Sequence, residues 1–414
     1  MTINTNAGTL HDSGRLDRKA AAFVFLAFAA AYFCSTLVRA ITATLSPVLT
    51  QDFSLKASDL GLLAGGYFFG FAAMQLPLGR WLDRYGPKSV ILYFLSFAVL
   101  GCVAFSMASS FAWLLAARVL VGMGVSACLM APLTGFRRWL DGPTVLRANS
   151  WMLMTGSLGM LSSTLPVQWL MPLTGWRPLF WLLAILILLC MAVIAWVVPA
   201  SPRATVTVEA SSATYSEVWK SRYFQKMSPL AFFNYGGLIA VQTLWAGPWM
   251  VRVAGYTPLD SATGLFYLNA CMLVTFWGWG MLMPWLLGRG WSPERLIAWV
   301  VPLSLLALAI NIAGASATGW IGWASFCVLS SVMGLAQPAM GMAFKPSLVG
   351  RALSAYNLMI FSGVFCVQWG IGLLIDAFKV AGMSEIVSFQ AAMLVFLCCC
   401  LASYVWFLRG KADN

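Results

Sequence analysis

The ten residues GRWLDRYGPK, Gly79 to Lys88, place one carboxylate and three cations between two long apolar runs. In a chain of 414 residues, 61% hydrophobic and only 9% charged, such a cluster marks a polar break between two buried segments. A soluble domain is about 45 to 50% apolar. With a mean hydropathy of +0.83, most side chains here must face lipid or each other within it, and the chain reads as an integral membrane protein.

Outward from 79–88, apolar runs of the roughly 20 residues that cross the hydrocarbon core recur along the chain. There are twelve: about 20–48, 59–79, 88–108, 112–134, 150–172, 178–199, 228–251, 261–287, 295–316, 320–344, 352–376 and 387–408. A barrel strand alternates apolar and polar residues, whereas WLLAILILLCMAVIAWVV (181–198) is apolar throughout, so these are helices. The run behind the polar first nineteen residues is too long for a signal-peptide core and lacks a small-residue cleavage site. The N-terminus is therefore expected to be retained.

Nineteen of the 25 Lys and Arg fall in the two tails and the even-numbered connections, among them Arg80, Arg84, Lys88, Arg137, Arg289 and Arg351. Only Lys56, Arg177, Arg252 and Lys379 fall in the odd-numbered ones. The positive-inside rule then puts both termini and the even connections in the cytoplasm, with a bacterial inner membrane as the expected location. The net charge of +12 is topological rather than a nucleic-acid patch, which would need a basic face on a soluble domain. All ten cysteines lie within apolar runs and read as small lipid-compatible side chains, not disulfides.

The longest polar interruption divides the helices six and six. The expected organisation is a cytoplasmic N-tail (1–19), a six-helix bundle (20–199), a cytoplasmic linker with a short amphipathic helix (200–227), a second six-helix bundle (228–408) and a C-tail (409–414). The halves echo one another: LRANSWMLMTGSLG (146–159) and GRALSAYNLMIFSG (350–363) share Arg-Ala and a later glycine at an offset of 204 positions. FFGFAAMQLPLGR (68–80) similarly matches FWGWGMLMPWLLGR (276–289). Secondary transporters are commonly built from such repeats, with the substrate site between the halves near the midplane. The expected fold is an all-α membrane protein of 12 transmembrane helices in two pseudo-symmetric six-helix bundles.

Gly79, Asp83, Arg84, Gly86 and Lys88 fit G-x-x-x-D-R-x-G-x-K between the second and third helices, which resembles the loop motif of the major facilitator superfamily. Arg118, Gly122 and Gly124 in AARVLVGMGVSA are similar to its fourth-helix R-x-x-x-G-x-G pattern, with Val121 where many members have Gln. The resemblance implies that the 79–88 stretch is a conformational latch: Asp83 faces the positive end of helix eleven, which begins near Gly350 and Arg351. It also implies that helices one, four, seven and ten line a central cavity.

Charges inside a bilayer are functional candidates by default. Arg39 and Arg118 are the two basic residues well within the apolar runs, and no acid lies deeper than Asp376. Two cations without a compensating carboxylate imply a site for a small organic anion, since guanidinium pairs in bidentate fashion with carboxylate or phosphate. Resemblance to the organic-anion and sugar-phosphate permease branch points the same way through Arg39. The second arginine of that branch, on helix seven, has no match here, because Arg252 sits at the helix end. Asn234, Tyr235, Gln242, Gln337 and Asn357 are the polar groups that could complete a substrate site, and they, like Gln368, could equally join helices.

Asp376 is the one carboxylate placed to couple transport to protons; a counter-anion is the other coupling partner expected. No metal site and no cofactor are expected: the Met and Cys pairs two residues apart do not share a helix face. An enzyme is disfavoured because no nucleophile, base and acid set appears. A drug/proton efflux antiporter is a weaker reading, lacking the fifth-helix G-P-x-x-G-G element, and a transporter-like membrane sensor is the alternative of another class. The expected functional unit is a monomer.

Overall fold

The computed structural model describes residues 16–200 and 215–410. Residues 1–15, 201–214 and 411–414, which hold most of the tails and the first part of the expected linker, lie outside the described residues. The described chain is helical, with no strand. Helix α1, Arg18–Phe53, starts where Asp17 accepts the Ala20 amide at 2.7 Å and stops at Ser54, which turns left-handed at φ 50°.

The opening stretch decides the next fold-back. The helix Ala57–Ser106 is interrupted only at Gly86, whose φ of 77° and ψ of 163° suit glycine alone, and Pro87 then begins a new turn. Trp81 and Phe94 show what this does: their ring centroids lie 5.6 Å apart, whereas on an unbroken helix they would be about 20 Å apart. The chain therefore reverses at one glycine, giving α2 (57–85) and α3 (87–106). The expected polar loop is in fact helical on both sides of this residue.

The remaining passes are α4 (Phe111–Trp139), α5 (142–174), α6 (Trp176–Val197), α7 (222–252), α8 (Pro258–Gly288), α9 (Pro293–Gly314), α10 (Gly319–Met342), α11 (Pro346–Val380) and α12 (Glu385–Arg409). Among the described residues nine helices are long and apolar enough to cross a membrane, with Ala57–Ser106 counted once. The passes outside that set are interrupted: α5 breaks at Ser163 and Thr164, just before Pro166, whose missing N–H cannot continue the ladder. α7 contains two π-helical turns, Ala231–Tyr235 and Val241–Trp245. With these breaks, each of the twelve apolar runs corresponds to one helical pass.

Successive passes alternate in direction, so Arg80, Arg84, Arg137, Arg289 and Arg351 gather at one end, the basic end, and Lys56, Arg177, Arg252 and Lys379 at the far end. Within the first half, α4 packs on α2 backbone to backbone. A side chain at Gly122 would drive into the Tyr67 carbonyl, and one at Gly70 into that of Val119. Between halves, α11 runs along α2, α7 lies against α1 with Gly247 beside the Ala43 carbonyl, and α5 meets α8. The short helix Tyr215–Lys220 precedes α7, with Val218 buried.

Gly122→Ala should force α2 and α4 apart and lower the thermal unfolding midpoint, a loss of about 1 to 3 kcal/mol. Gly79→Ala, at a position with no atom within 4 Å of an added methyl, should leave the midpoint unchanged or slightly raised. Fluorescence-detected unfolding in detergent compares the two; equal effects would remove the close-approach argument.

Candidate substrate cavity

A cavity of about 810 Å3 lies between the halves and runs to the basic end. Its walls come from α1 (Tyr32, Arg39), α2 (Phe71, Gln75, Asp83), α4 (Met130, Arg137), α5 (Leu153), α7 (Tyr235, Ile239), α10 (Gln337) and α11 (Arg351, Asn357, Phe361). Four arginines, Arg39, Arg80, Arg137 and Arg351, line it against a single acid, Asp83. Among the lining residues cations outnumber acids, a balance that favours anions over cations.

Arg39 is the one cation away from the mouth. Its guanidinium carbon lies 5.6 Å from the centroid of the Phe71 ring, and its buried Nε has no hydrogen-bond partner. A cation over an aromatic face gains about 0.5 to 2 kcal/mol, whereas a guanidinium deep in a bilayer costs about 2.5 to 3.5 kcal/mol even on the lenient insertion scale. No carboxylate lies within ion-pair distance of it among the described residues. Part of that cost is left for a ligand to offset.

Arg118 is placed elsewhere. It is 1% exposed and does not line the cavity. Its Nη1 donates to the Val38 carbonyl at 3.0 Å, its Nη2 donates to Thr42 Oγ1, and the guanidinium sits between the rings of Tyr67 and Phe105. This side chain ties α4 to α1 through Val38 and Thr42, on either side of Arg39 in sequence. The two arginines read together in the sequence thus occupy different environments, one sealed and one open.

The polar candidates divide in the same way. Asn234 donates to Ser403 Oγ at 2.8 Å and the Cys400 carbonyl at 3.2 Å, joining α7 to α12. Gln242 donates to Asn269 Oδ1 at 2.9 Å, joining α7 to α8, and Gln368 donates to Thr243 Oγ1 at 3.0 Å, joining α11 to α7. Tyr235, Gln337 and Asn357 do line the cavity, and the Gln337 amide donates to Asn357 Oδ1 across α10 and α11. Tyr32, Phe71, Gln75 and Phe361 also line it and were not singled out from the sequence. Tyr32 had a signal, since it stands two helical turns before Arg39 on the same face.

At the mouth, Asp83 is exposed and has no hydrogen-bond partner among the described residues. Gly79 and Gly350 have no atom within 4 Å of an added methyl, so the basic ends of α2 and α11 stand apart there. Arg84 lies over the Tyr85 ring at 5.2 Å, and Gly86 makes the turn that brings Lys88 to the start of α3. Asp376 is at the far end of α11, outside the cavity, where its carboxylate accepts the amides of Ala57 and Ser58.

The family model described as "Major Facilitator Superfamily" matches residues 28–367. The chain belongs to the Major Facilitator Superfamily. It is 23% identical over 448 residues to the "Probable L-galactonate transporter" of Escherichia coli (strain K12), covering 98% of this chain and 93% of that protein. Two partial matches are a "Probable sulfoacetate transporter" of Cupriavidus necator, 27% identical over 26% of this chain and 25% of that protein, and a "Multidrug resistance protein" of Escherichia coli O81, 28% identical over 38% of this chain and 42% of that protein. A crystal structure of a bacterial homologue of the human lysosomal transporter Spinster, inward-facing and unoccupied, has a TM-score of 0.77 at 17% identity, covering 94% of this chain and 97% of that one. The chain is therefore an integral membrane protein with the fold of this family of transporters.

Arg118→Ala should lower the thermal midpoint by several degrees, a loss of about 2 to 4 kcal/mol, because two charge-assisted bonds and a filled volume disappear together. Arg39→Ala, which removes a guanidinium whose Nε has no hydrogen-bond partner among the described residues, should lower the midpoint less than Arg118→Ala or leave it unchanged. Unfolding curves of both variants in one detergent test the contrast.

Proposed function

We propose that this protein carries a small organic anion with one principal negative charge across the bacterial inner membrane by alternating access, bound between the two six-helix bundles. The observation that carries the reading is Arg39: a guanidinium with an unpartnered buried Nε, facing a cavity with four arginines and one acid. A single deep cation favours a monoanion such as a carboxylate or sulfonate. The Gln337–Asn357 amide pair and the hydroxyls of Tyr32 and Tyr235 suit a hydroxylated body attached to it. The relative named for L-galactonate, a monocarboxylate, supports this class, and the one named for sulfoacetate, which bears a sulfonate and a carboxylate, supports organic anions more broadly.

By the positive-inside rule the basic end is cytoplasmic, as are both termini, so the cavity as it stands opens inward. Arg118, Asn234 and Gln242 then hold the walls in place, while Arg39, Tyr235, Gln337 and Asn357 contact the solute. The unit of transport is a monomer in the bilayer, driven by protons or by exchange for a counter-anion.

The test is uptake into proteoliposomes of radiolabelled L-galactonate, sulfoacetate and 4-hydroxybenzoate beside neutral galactose and a lipophilic cation, with and without a pH gradient. At least one anion should accumulate and neither control should. Arg39→Lys keeps the charge but loses the two-pronged geometry, and should weaken apparent affinity about ten- to a hundredfold. Arg39→Ala should abolish anion uptake. If Arg39→Ala transports as well as the parent, or if the cation is preferred, the anion reading is wrong and drug efflux becomes the better one.

A further inference from the structure

We infer that Asp376 is the carboxylate that locks the outer gate, a counterpart at the far ends of α2 and α11 to the latch carried by Asp83 at their cytoplasmic ends. The inference rests on the alternating-access reading and adds to it a residue, a pair of acceptor atoms and a reciprocal design.

α2 runs inward and α11 outward, side by side, so the N-terminus of each lies beside the C-terminal end of the other. Both helices begin at a lysine, Lys56 for α2 and Lys345 for α11, and an ammonium has no acceptor to offer the first amides. For α2 the missing acceptor comes from the other half of the molecule. Asp376 Oδ2 accepts the Ser58 amide at 2.8 Å and its Oδ1 accepts the Ala57 amide at 3.2 Å. No cation lies within ion-pair distance of Asp376 among the described residues, so its charge is met by the positive end of α2.

The surrounding backbone is shaped for this contact. A side chain on Gly372, one turn before Asp376, would strike the Ala57 carbonyl, and one on Gly61 would strike that of Gln368. Trp245 Nε1 donates to the same Gln368 carbonyl at 3.1 Å, fixing α11 against α7 at this level. The far ends of α2 and α11 are thus sealed backbone to backbone and bridged by one carboxylate.

At the cytoplasmic ends the arrangement is reversed. Asp83 is exposed and without a hydrogen-bond partner among the described residues, and a methyl added at Gly79 or Gly350, which line the cavity there, would meet no atom within 4 Å. Two stiff helices in contact at one end and apart at the other cannot close both ends at once, so engagement of Asp376 and of Asp83 exclude one another. The transporter then moves between two capped states, each stabilised by an aspartate of one half on the helix N-terminus of the other; at α2 that aspartate joins Asp59, whose carboxylate accepts the Lys56 amide at 3.0 Å.

Double electron-electron resonance in proteoliposomes tests this, with spin labels at positions 56 and 380 for the outer ends and at 85 and 345 for the cytoplasmic ends, in a background where the exposed Cys366 and Cys398 are serine. Asp376→Ala should lengthen the outer distance and shorten the cytoplasmic one, changing the ratio of states about five- to thirtyfold. Asp376→Asn, which keeps one acceptor oxygen without the charge, should fall between. An unchanged outer distance, or an outer distance that lengthens while the cytoplasmic one stays put, overturns the proposal. Asp83→Asn in the same background separates this failure from a wider one: if it alone shifts the cytoplasmic distance, only the role of Asp376 is lost. If neither substitution moves either distance, alternating access itself is the part that fails.

Discussion

The hydrocarbon core offers no hydrogen-bond partners, and that constraint governs where every polar group in this protein sits. Backbone groups are satisfied by making each pass helical, even where α7 needs two π-helical turns and α10 a 3-10 stretch to continue. Several side-chain polar groups gain partners by crossing to a neighbouring helix. Asn234 reaches α12, Gln242 reaches α8, Gln368 reaches α7 and Arg118 reaches α1. Arg118 Nε and Gln368 Oε1 still lack a partner among the described residues, as does Arg39 Nε, and of these three side chains only that of Arg39 lines the cavity.

The same constraint explains why small residues lie at the helix contacts. Lipid tails are as apolar as the side chains, so helices gain by approaching closely rather than by escaping solvent. Gly122 against Tyr67, Gly61 against Gln368 and Gly372 against Ala57 are approaches of this kind, where one added methyl has no room. Two of these lie between the halves and one within the first half. The contact is therefore used both to make a rigid bundle and to close one bundle against the other.

The sequence carried the architecture clearly because the bilayer sets both the length and the composition of a pass. Twelve apolar runs, the break at 79–88 and the placement of cations could be read without coordinates. The break was expected as a short loop and proved to be a single residue, because Gly86 reverses the chain without any intervening turn. The site was less legible: Arg39 and Arg118 look alike in sequence, and only the positions of Val38, Thr42 and Tyr67 distinguish the sealed one from the open one. Phe71, Gln75 and Phe361 carry no charge to attract notice, and their place in the wall depends on how α2 meets α11. Asp376 was visible as the deepest acid, but the amides it accepts lie more than three hundred positions earlier in the chain.

The rings of Phe71 and Phe361, 4.4 Å apart at their centroids, touch near the middle of α2 and α11. Along α2 the distance from Phe71 to Ala57 or to Asp83 is about 20 Å, and along α11 Phe361 is a little over 20 Å from Pro346 or Asp376. In the proposed alternation such a stack would serve as a fulcrum with arms of nearly equal length. A relative tilt of about 10° about it moves each end by roughly 3.5 Å, from 1.5 Å of rise per residue along each arm. Under that proposal the displacement would part a hydrogen bond at one end as the other end closes, and a change of ring size at the stack would alter both openings at once.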